Sequence, residues 1–241
     1  MPGTSASDSV VRVSNDADGL DDFYAQIAHA EPLVIAQLGQ SLDGFIASRT
    51  GDAEFVTGEG DHRHLHILRS LVDAVVVGAT TVIADDCRLT VRHVPLRGPR
   101  PTRVILDPRG RVPATAHLLT SDDAPTLWIV GRRAEVPRGL PSHVDVLRME
   151  VDAALAPADV VAELSERGLR RILVEGGGRL VSAFVEAGLI DRLYVTTAPL
   201  LIGDGVPGLR FTGADALSDA LRGPSRRLIL GEDVCTELVL R

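Results

Sequence analysis

The sequence predicts an α/β fold, a layered structure whose central sheet is mostly parallel and carries an antiparallel C-terminal hairpin. Three observations predict it. Short apolar runs rich in Val, Ile and Leu alternate with amphipathic segments through most of the chain, the pattern of strand–helix units. Residues 170–189, RRILVEGGGRLVSAFVEAGL, condense one unit into a single stretch. There the buried strand Ile172-Leu173-Val174 passes through Glu175 into Gly176, Gly177 and Gly178. A helix follows with Leu180, Val181, Phe184 and Val185 on one face, and Gly188 stops it. Lastly, the chain ends in two strand-like runs, 226–230 and 234–240, joined by Gly231-Glu232-Asp233, which is a hairpin signal.

The other elements follow in order. Residues 1–15 are rich in Ser, Asp and Gly and are expected to be disordered. Positions 18–30 suit a short helix with Leu20, Phe23, Tyr24 and Ile27 on one face, ended by Pro32. Residues 33–38 (LVIAQL) are the first core strand. A turn at Asp43-Gly44 leads to an extended run from Phe45. Residues 61–72 form a helix with Leu65, Leu68, Leu71 and Val72 inward. This helix also carries His62, His64 and His66. Positions 62 and 66 share a face but 64 does not, and no nearby Cys or Asp completes a metal site, so solvated histidines are expected there. Residues 73–77 (DAVVV) are a second strand, followed by Gly78 and a short helix to Asp85-Asp86, with Thr80 or Thr81 as its cap. Strands follow at 103–106, 126–130 and 144–147. An amphipathic helix at 158–168 precedes the glycine stretch, and residues 192–197 (RLYVTT) are a further strand.

Composition bounds the function. A chain of 241 residues with 45% hydrophobic content suits one α/β domain. We assign 31–241 to that domain and 1–30 to an N-terminal extension, partly disordered. The formal charge of −8 disfavours nucleic acid or a membrane surface as partner, and 3% aromatic residues argue against a base-stacking platform. Cys87 and Cys235 make no disulfide framework. No apolar run reaches the ~18 residues of a membrane span, and the N-terminus lacks the features of a signal peptide. A cytoplasmic protein is expected.

The glycine stretch points to an anionic ligand. Three glycines after a carboxylate at a strand end bare backbone N–H groups at the positive end of a helix and let a ligand approach closely. A tight turn without a ligand is the alternative. The G-x-G-x-x-G fingerprint is absent, as are the P-loop, G-x-S-x-G, H-E-x-x-H and CxxC.

Four stretches taken together carry a resemblance: SLDG after the first strand, VVVGATTVIADDCRLTVR, the VILD strand, and VEGGGRL followed by DRLYVTTAPLLIG. They resemble the pyrimidine reductase of bacterial riboflavin biosynthesis over roughly residues 33–240. The resemblance implies a dihydrofolate-reductase-like, three-layer fold. It also implies an NADPH-dependent reduction of a ribosylaminopyrimidine phosphate, ribose to ribityl, by a homodimer. Gly39, Phe55, Thr81 and Asp85 match cofactor-contacting positions. So does the turn Gly177 to Ala183, which matches the segment that cradles the cofactor's phosphates and includes Gly178, Arg179 and Leu180, with Gly176 just before it. Arg69, Leu89, Arg92 and Glu175 match substrate-contacting positions, and Glu175 and Asp85 are the candidate catalytic residues. No metal is implied. By default Arg69 would be a surface charge, and Asp85-Asp86 a capping pair. The chain departs from the family pattern at Phe45 (usually Lys or Arg), Ala53 (usually Ser) and Cys87 (usually Pro). The first two remove polar groups from the substrate side. They keep open a reductase of another heterocycle, imine or carbonyl compound, besides a non-catalytic nucleotide-binding protein. The H-x-E and P-C-x-x-C of a zinc deaminase are absent, so a stand-alone reductase is expected.

Overall fold

The computed structural model describes residues 9–12, 22–54, 56–151 and 154–241. In chain order its elements are β1 (Ser9–Arg12), α1 (Asp22–His29), β2 (Leu33–Ser41), β3 (Phe45–Ser48), α2 (Glu59–Ser70), β4 (Ala74–Gly78) and α3 (Ala79–Asp85). There follow β5 (Thr102–Asp107), α4 (His117–Thr120), β6 (Thr126–Gly131), β7 (Val144–Met149), α5 (Pro157–Glu166), β8 (Arg171–Val174) and α6 (Gly178–Glu186). The chain closes with β9 (Arg192–Ala198), β10 (Gly205–Pro207), β11 (Ser225–Leu230) and β12 (Asp233–Val239).

One large sheet runs in the order β1-β11-β12-β9-β2-β8-β4-β5-β6-β7. From β9 to β7 every neighbouring pair is parallel, and β12 is antiparallel to both β9 and β11. The parallel core and antiparallel hairpin are those the sequence pattern predicts. Strand alternation divides the apolar residues between two faces. Leu33 and Ile35 of β2 pack with Leu68, Val82 and Leu118 from α2, α3 and α4. Val34 and Ala36 pack with Val160, Leu164, Val181 and Phe184 from α5 and α6. Three layers result. Helices α5 and α6 both end as the glycines at 168 and 188 predict. Leu189 N–H bonds Phe184 O and Gly188 N–H bonds Val185 O, with Gly188 at φ +64°; Gly168 repeats the arrangement after α5.

The structure differs from the sequence reading in four places. Within the extension expected to be disordered, Ser9–Arg12 is a strand paired in parallel with β11; residues 1–8 and 13–21 lie outside the described residues. The PLLIGDGVPG loop contains β10, which pairs with β3 in a separate two-stranded ribbon. Neither threonine caps α3: Gly78 is its N-cap, without a side-chain bond. Finally, the histidines of α2 are not all solvated. His62 is exposed, but His64 and His66 are buried. His64 lies one and two turns before Leu68 and Leu71, on the stripe that faces the core. Its Nδ1 is 2.7 Å from the Tyr24 hydroxyl, and its ring meets Tyr194 edge-on at 5.4 Å.

Candidate active site

Strands β4 and β8 are neighbours, yet α3 leaves β4 toward one face of the sheet and α6 leaves β8 toward the other. A crevice opens between such diverging units at the carboxyl ends of the strands, the usual place for a ligand in an open α/β sheet. The two units are joined there. The Gly177 N–H donates to Thr81 Oγ1 at 3.2 Å, so the hydroxyl expected to cap α3 instead ties α3 to the glycine turn.

The three glycines serve three different purposes. Gly176 has φ +98°, and a Cβ on it would meet Thr81 Oγ1 at 2.9 Å. Gly178 is buried, and a Cβ on it would fall 1.9 Å from Gly208 O and 2.8 Å from Pro207 O. Its lack of a side chain is needed for packing. A Cβ on Gly177 would meet only Thr81 Oγ1, at 3.8 Å, so this glycine faces open space. Gly177 is also the N-cap of α6 and has no side-chain cap, which leaves the helix's first N–H groups for a ligand. Leu180 offers less. Its N–H is engaged by Gly177 O at 3.0 Å, and its side chain packs on the α5–α6 face. Arg179 is exposed beside the turn.

Glu175 directly follows β8 and is buried. Its oxygens accept from Arg69 Nε at 2.8 Å and Nη2 at 2.6 Å, a two-pronged pair. Arg69 Nη1 donates to Thr90 O at 3.2 Å. Arg69 is therefore a buried cation with three groups in use, not the surface charge expected by default. Burial works against its charge, but the Glu175 carboxyl outweighs this and raises its pKa. Cys87 lies in the same field: burial and the acids Glu175 and Asp85 push its thiol up to about 12. It stays a neutral thiol at physiological pH.

The acid pair after α3 divides its duties. Asp86 is the left-handed C-cap of α3 (φ 41°), and its carboxyl accepts the His117 N–H at 2.8 Å. Among the described residues Asp85 makes no hydrogen bond; it is exposed at the end of α3, and partial desolvation on its inner side raises its pKa. Beyond it the chain places Leu89, buried and left-handed at φ 52°, and then Arg92, which is exposed. Partial burial and the cations Arg69 and Arg88 lower the pKa of Arg92. Arg88 escaped the sequence reading. Its signal was its place in CRLTVR, four residues before Arg92. With Arg69 committed to Glu175, Arg88 and Arg92 are exposed cations on this loop whose side chains make no ion pair among the described residues.

Gly39 sits further along the same rim. Ala36 stands opposite Val174, so Gly39 lies past the carboxyl end of β8. A Cβ there would strike Thr57 Cγ2 at 2.7 Å. Phe55 lies outside the described residues. The SLDG turn is explained by structure: Asp43 accepts from Ser41 Oγ at 2.5 Å and from the N–H groups of Ile202 and Gly203, binding the 199–204 loop. Phe45 opens β3 and stands opposite Pro207, next to the segment that packs on Gly178. Ala53 is exposed.

The geometry is a glycine-lined rim at the strand ends, flanked by the buried acid Glu175 and by the exposed Arg88 and Arg92, whose side chains make no ion pair among the described residues. A profile of the RibD C-terminal domain matches residues 32–222. The chain belongs to the RibD C-terminal domain family. It is 33% identical over 216 residues to the riboflavin biosynthesis protein RibD of Aquifex aeolicus, covering 89% of this chain and 59% of that protein. It is 35% identical over 220 residues to the 2,5-diamino-6-ribosylamino-4(3H)-pyrimidinone 5′-phosphate reductase of Methanothermobacter thermautotrophicus, covering 87% of this chain and 99% of that one. Among solved structures, Acinetobacter baumannii RibD superposes with a TM-score of 0.73 at 27% identity, over 88% of this chain and 58% of that one. The chain thus spans a little under three fifths of the RibD proteins and nearly all of the archaeal reductase. No helix among the described residues is long and apolar enough to cross a membrane.

The buried histidines make the fold acid-sensitive. Burial holds His64 neutral, with a pKa of about 4, against the opposing pull of Asp61 and Glu237. Burial, the cations Arg69 and Arg92, and the neighbouring His93 do the same for His66, also to about 4. An imidazole in the unfolded chain titrates near 6.5, so between pH 6.5 and about 4 the unfolded state binds more protons. Stability is therefore whole above pH 6.5 and falls through that window, by on the order of 3 kcal/mol per histidine at its lower end. Thermal melts should show the midpoint dropping steadily below about pH 6.5. A flat profile down to about pH 5 would contradict the assignment.

Proposed function

We propose that this chain is an NADPH-dependent reductase that converts the ribose of a ribosylaminopyrimidine 5′-phosphate to a ribityl chain, a step of riboflavin biosynthesis. The observation that carries the reading is the joining of two strand–glycine–helix units by Thr81 and Gly177 on the same rim as the Arg69–Glu175 pair. The correspondence with nearly the whole length of the archaeal reductase supports it. The same reading takes residues 31–241 as one reductase domain, working as a homodimer in the cytoplasm.

The residues fit the cofactor. Open space at Gly177 and the uncapped start of α6 suit a phosphate, with Thr81 holding the turn. Gly39, Phe55 and Asp85 complete the cofactor side. When bound, NADPH supplies a hydride. A glycosylamine opens to an imine, and saturating its C1′ takes one hydride and one proton. Asp85, an exposed acid at the end of α3 whose pKa is raised by partial desolvation, is suited to carry that proton. Glu175, fixed by Arg69, orients the sugar hydroxyls. Leu89 walls the pyrimidine, and Arg92, with Arg88, holds the 5′-phosphate.

The test is the loss of NADPH absorbance on adding the ribosylaminopyrimidine phosphate. Turnover only with another imine or carbonyl compound would overturn the substrate, and failure to bind NADPH would overturn the activity. Arg92→Ala should raise KM for the phosphorylated substrate by roughly 30- to 150-fold, about 2–3 kcal/mol, with little change in NADPH affinity. Equal losses for both ligands would remove Arg92 from the substrate side.

A further inference from the structure

Two side chains one turn apart on α2 hold the loop that follows α3. Arg69 donates to Thr90 O at 3.2 Å, and His66 Nδ1 accepts the Arg92 N–H at 3.1 Å. Both side chains are buried. The segment that carries these anchors, Asp86 to His93, has an unusual backbone. Asp86, Leu89 and His93 all take left-handed φ values, 41°, 52° and 62°, and none is glycine. Each such residue costs on the order of 1 kcal/mol or more, so the conformation persists only because its surroundings impose it. The Arg92 side chain at its crest is exposed.

We infer that His66 is a positioning residue: by accepting the Arg92 N–H it fixes the backbone from which the Arg92 guanidinium reaches the substrate phosphate. This rests on the reductase reading above. An imidazole can accept at Nδ1 only while that nitrogen is unprotonated; burial above all keeps it so, and its neighbours add to this. Arg69 faces it from its own helix, and Arg92 and His93 from the loop, with the His93 ring edge-on at 5.4 Å. Only the Thr90 carbonyl pulls the other way. His66 thus sends its hydrogen bond out to the site loop, whereas His64 bonds inward to Tyr24.

Three variants test the role. In His66→Asn the amide oxygen falls where Nδ1 stood, and in His66→Gln it falls near Nε2; His66→Leu has no acceptor. For each, KM and kcat with the ribosylaminopyrimidine phosphate and the NADPH dissociation constant are measured, with the melting temperature as a check on folding. His66→Leu and His66→Gln should raise KM about tenfold or more, with NADPH affinity within about twofold of wild type. His66→Asn should recover most of the loss. Should the leucine variant not fold, the Asn and Gln variants decide the matter alone. Equal KM values for those two, or parallel losses of KM and NADPH affinity, would overturn the positioning role while leaving the reductase reading intact. Absence of turnover by the wild-type protein would sink the reductase reading and this inference with it.

Discussion

Gly178→Ala is expected to cost the protein about 3 kcal/mol of stability, whereas Gly177→Ala, one residue earlier, is expected to leave the fold intact and lose the cofactor. The two glycines are adjacent and chemically identical, so their surroundings decide the difference. A Cβ at 178 would lie 1.9 Å from Gly208 O, 2.6 Å from its carbonyl carbon and 2.8 Å from Pro207 O. All three are backbone atoms, so no side chain can rotate away. Either α6 or the 207–208 segment must move, and that segment is itself held by Gly208 N–H on Gly44 O and by Arg210 N–H on Ser182 Oγ. At 177 the backbone is φ −57°, ψ 145°, which alanine adopts without strain, and the methyl would point into open space. That space is where a phosphate would lie. NADPH affinity should fall at least about tenfold while the melting temperature holds. Denaturant melts and NADPH fluorescence titrations of both variants check the pair. A Gly177 variant that binds NADPH normally would exclude the glycine turn from the cofactor site.

Arg69→Met should produce a second large effect. The change keeps much of the side-chain bulk but strands Glu175, a buried acid, without its guanidinium. Breaking one side of a buried ion pair commonly costs about 3–5 kcal/mol, because the remaining group is left desolvated and unpaired. In a chain of this size that corresponds to a fall in Tm of roughly 10 °C. Removing both partners, as Arg69→Met with Glu175→Leu, should recover a large part of the stability, since no charge is then left alone. Activity should not return, because Glu175 and the Thr90 anchor are both lost. Calorimetry on the wild type and the two variants separates the effects. If Arg69→Met melts with the wild type, or the double variant is the least stable of the three, the pair does not hold the site as described.

Residues whose role depends on their near neighbours in sequence were readable in advance. The β-branched runs at 74–77, 103–106 and 172–174, the helix stripe at 180–185 and the stop at Gly188 all rest on periods of two or 3.6 and on glycine's tolerance of positive φ. His64 was legible in principle, since it shares the Leu68 and Leu71 spacing, but weighed only as metal ligands the three histidines are otherwise expected to be solvated. Arg88 gave only proximity to Arg92. The pairing of β1 with β11 and of β10 with β3 joins segments that are far apart in sequence and individually too short to announce themselves.

By itself, then, the sequence determined the layered α/β architecture, the glycine turn at the end of β8 and the set of chemically capable side chains around it, because each depends on local backbone preference and the order of apolar residues. Only the tertiary structure decided what those side chains do. Arg69 and Glu175 stand 106 residues apart and meet as a buried pair. Thr81 and Gly177, 96 residues apart, tie two units into one rim. Of three consecutive glycines, one takes a positive φ against Thr81, one faces an open cradle and one a neighbouring backbone. Such assignments follow from which atoms lie within a few ångströms after the chain has closed on itself, and nothing in the local sequence carries that distance.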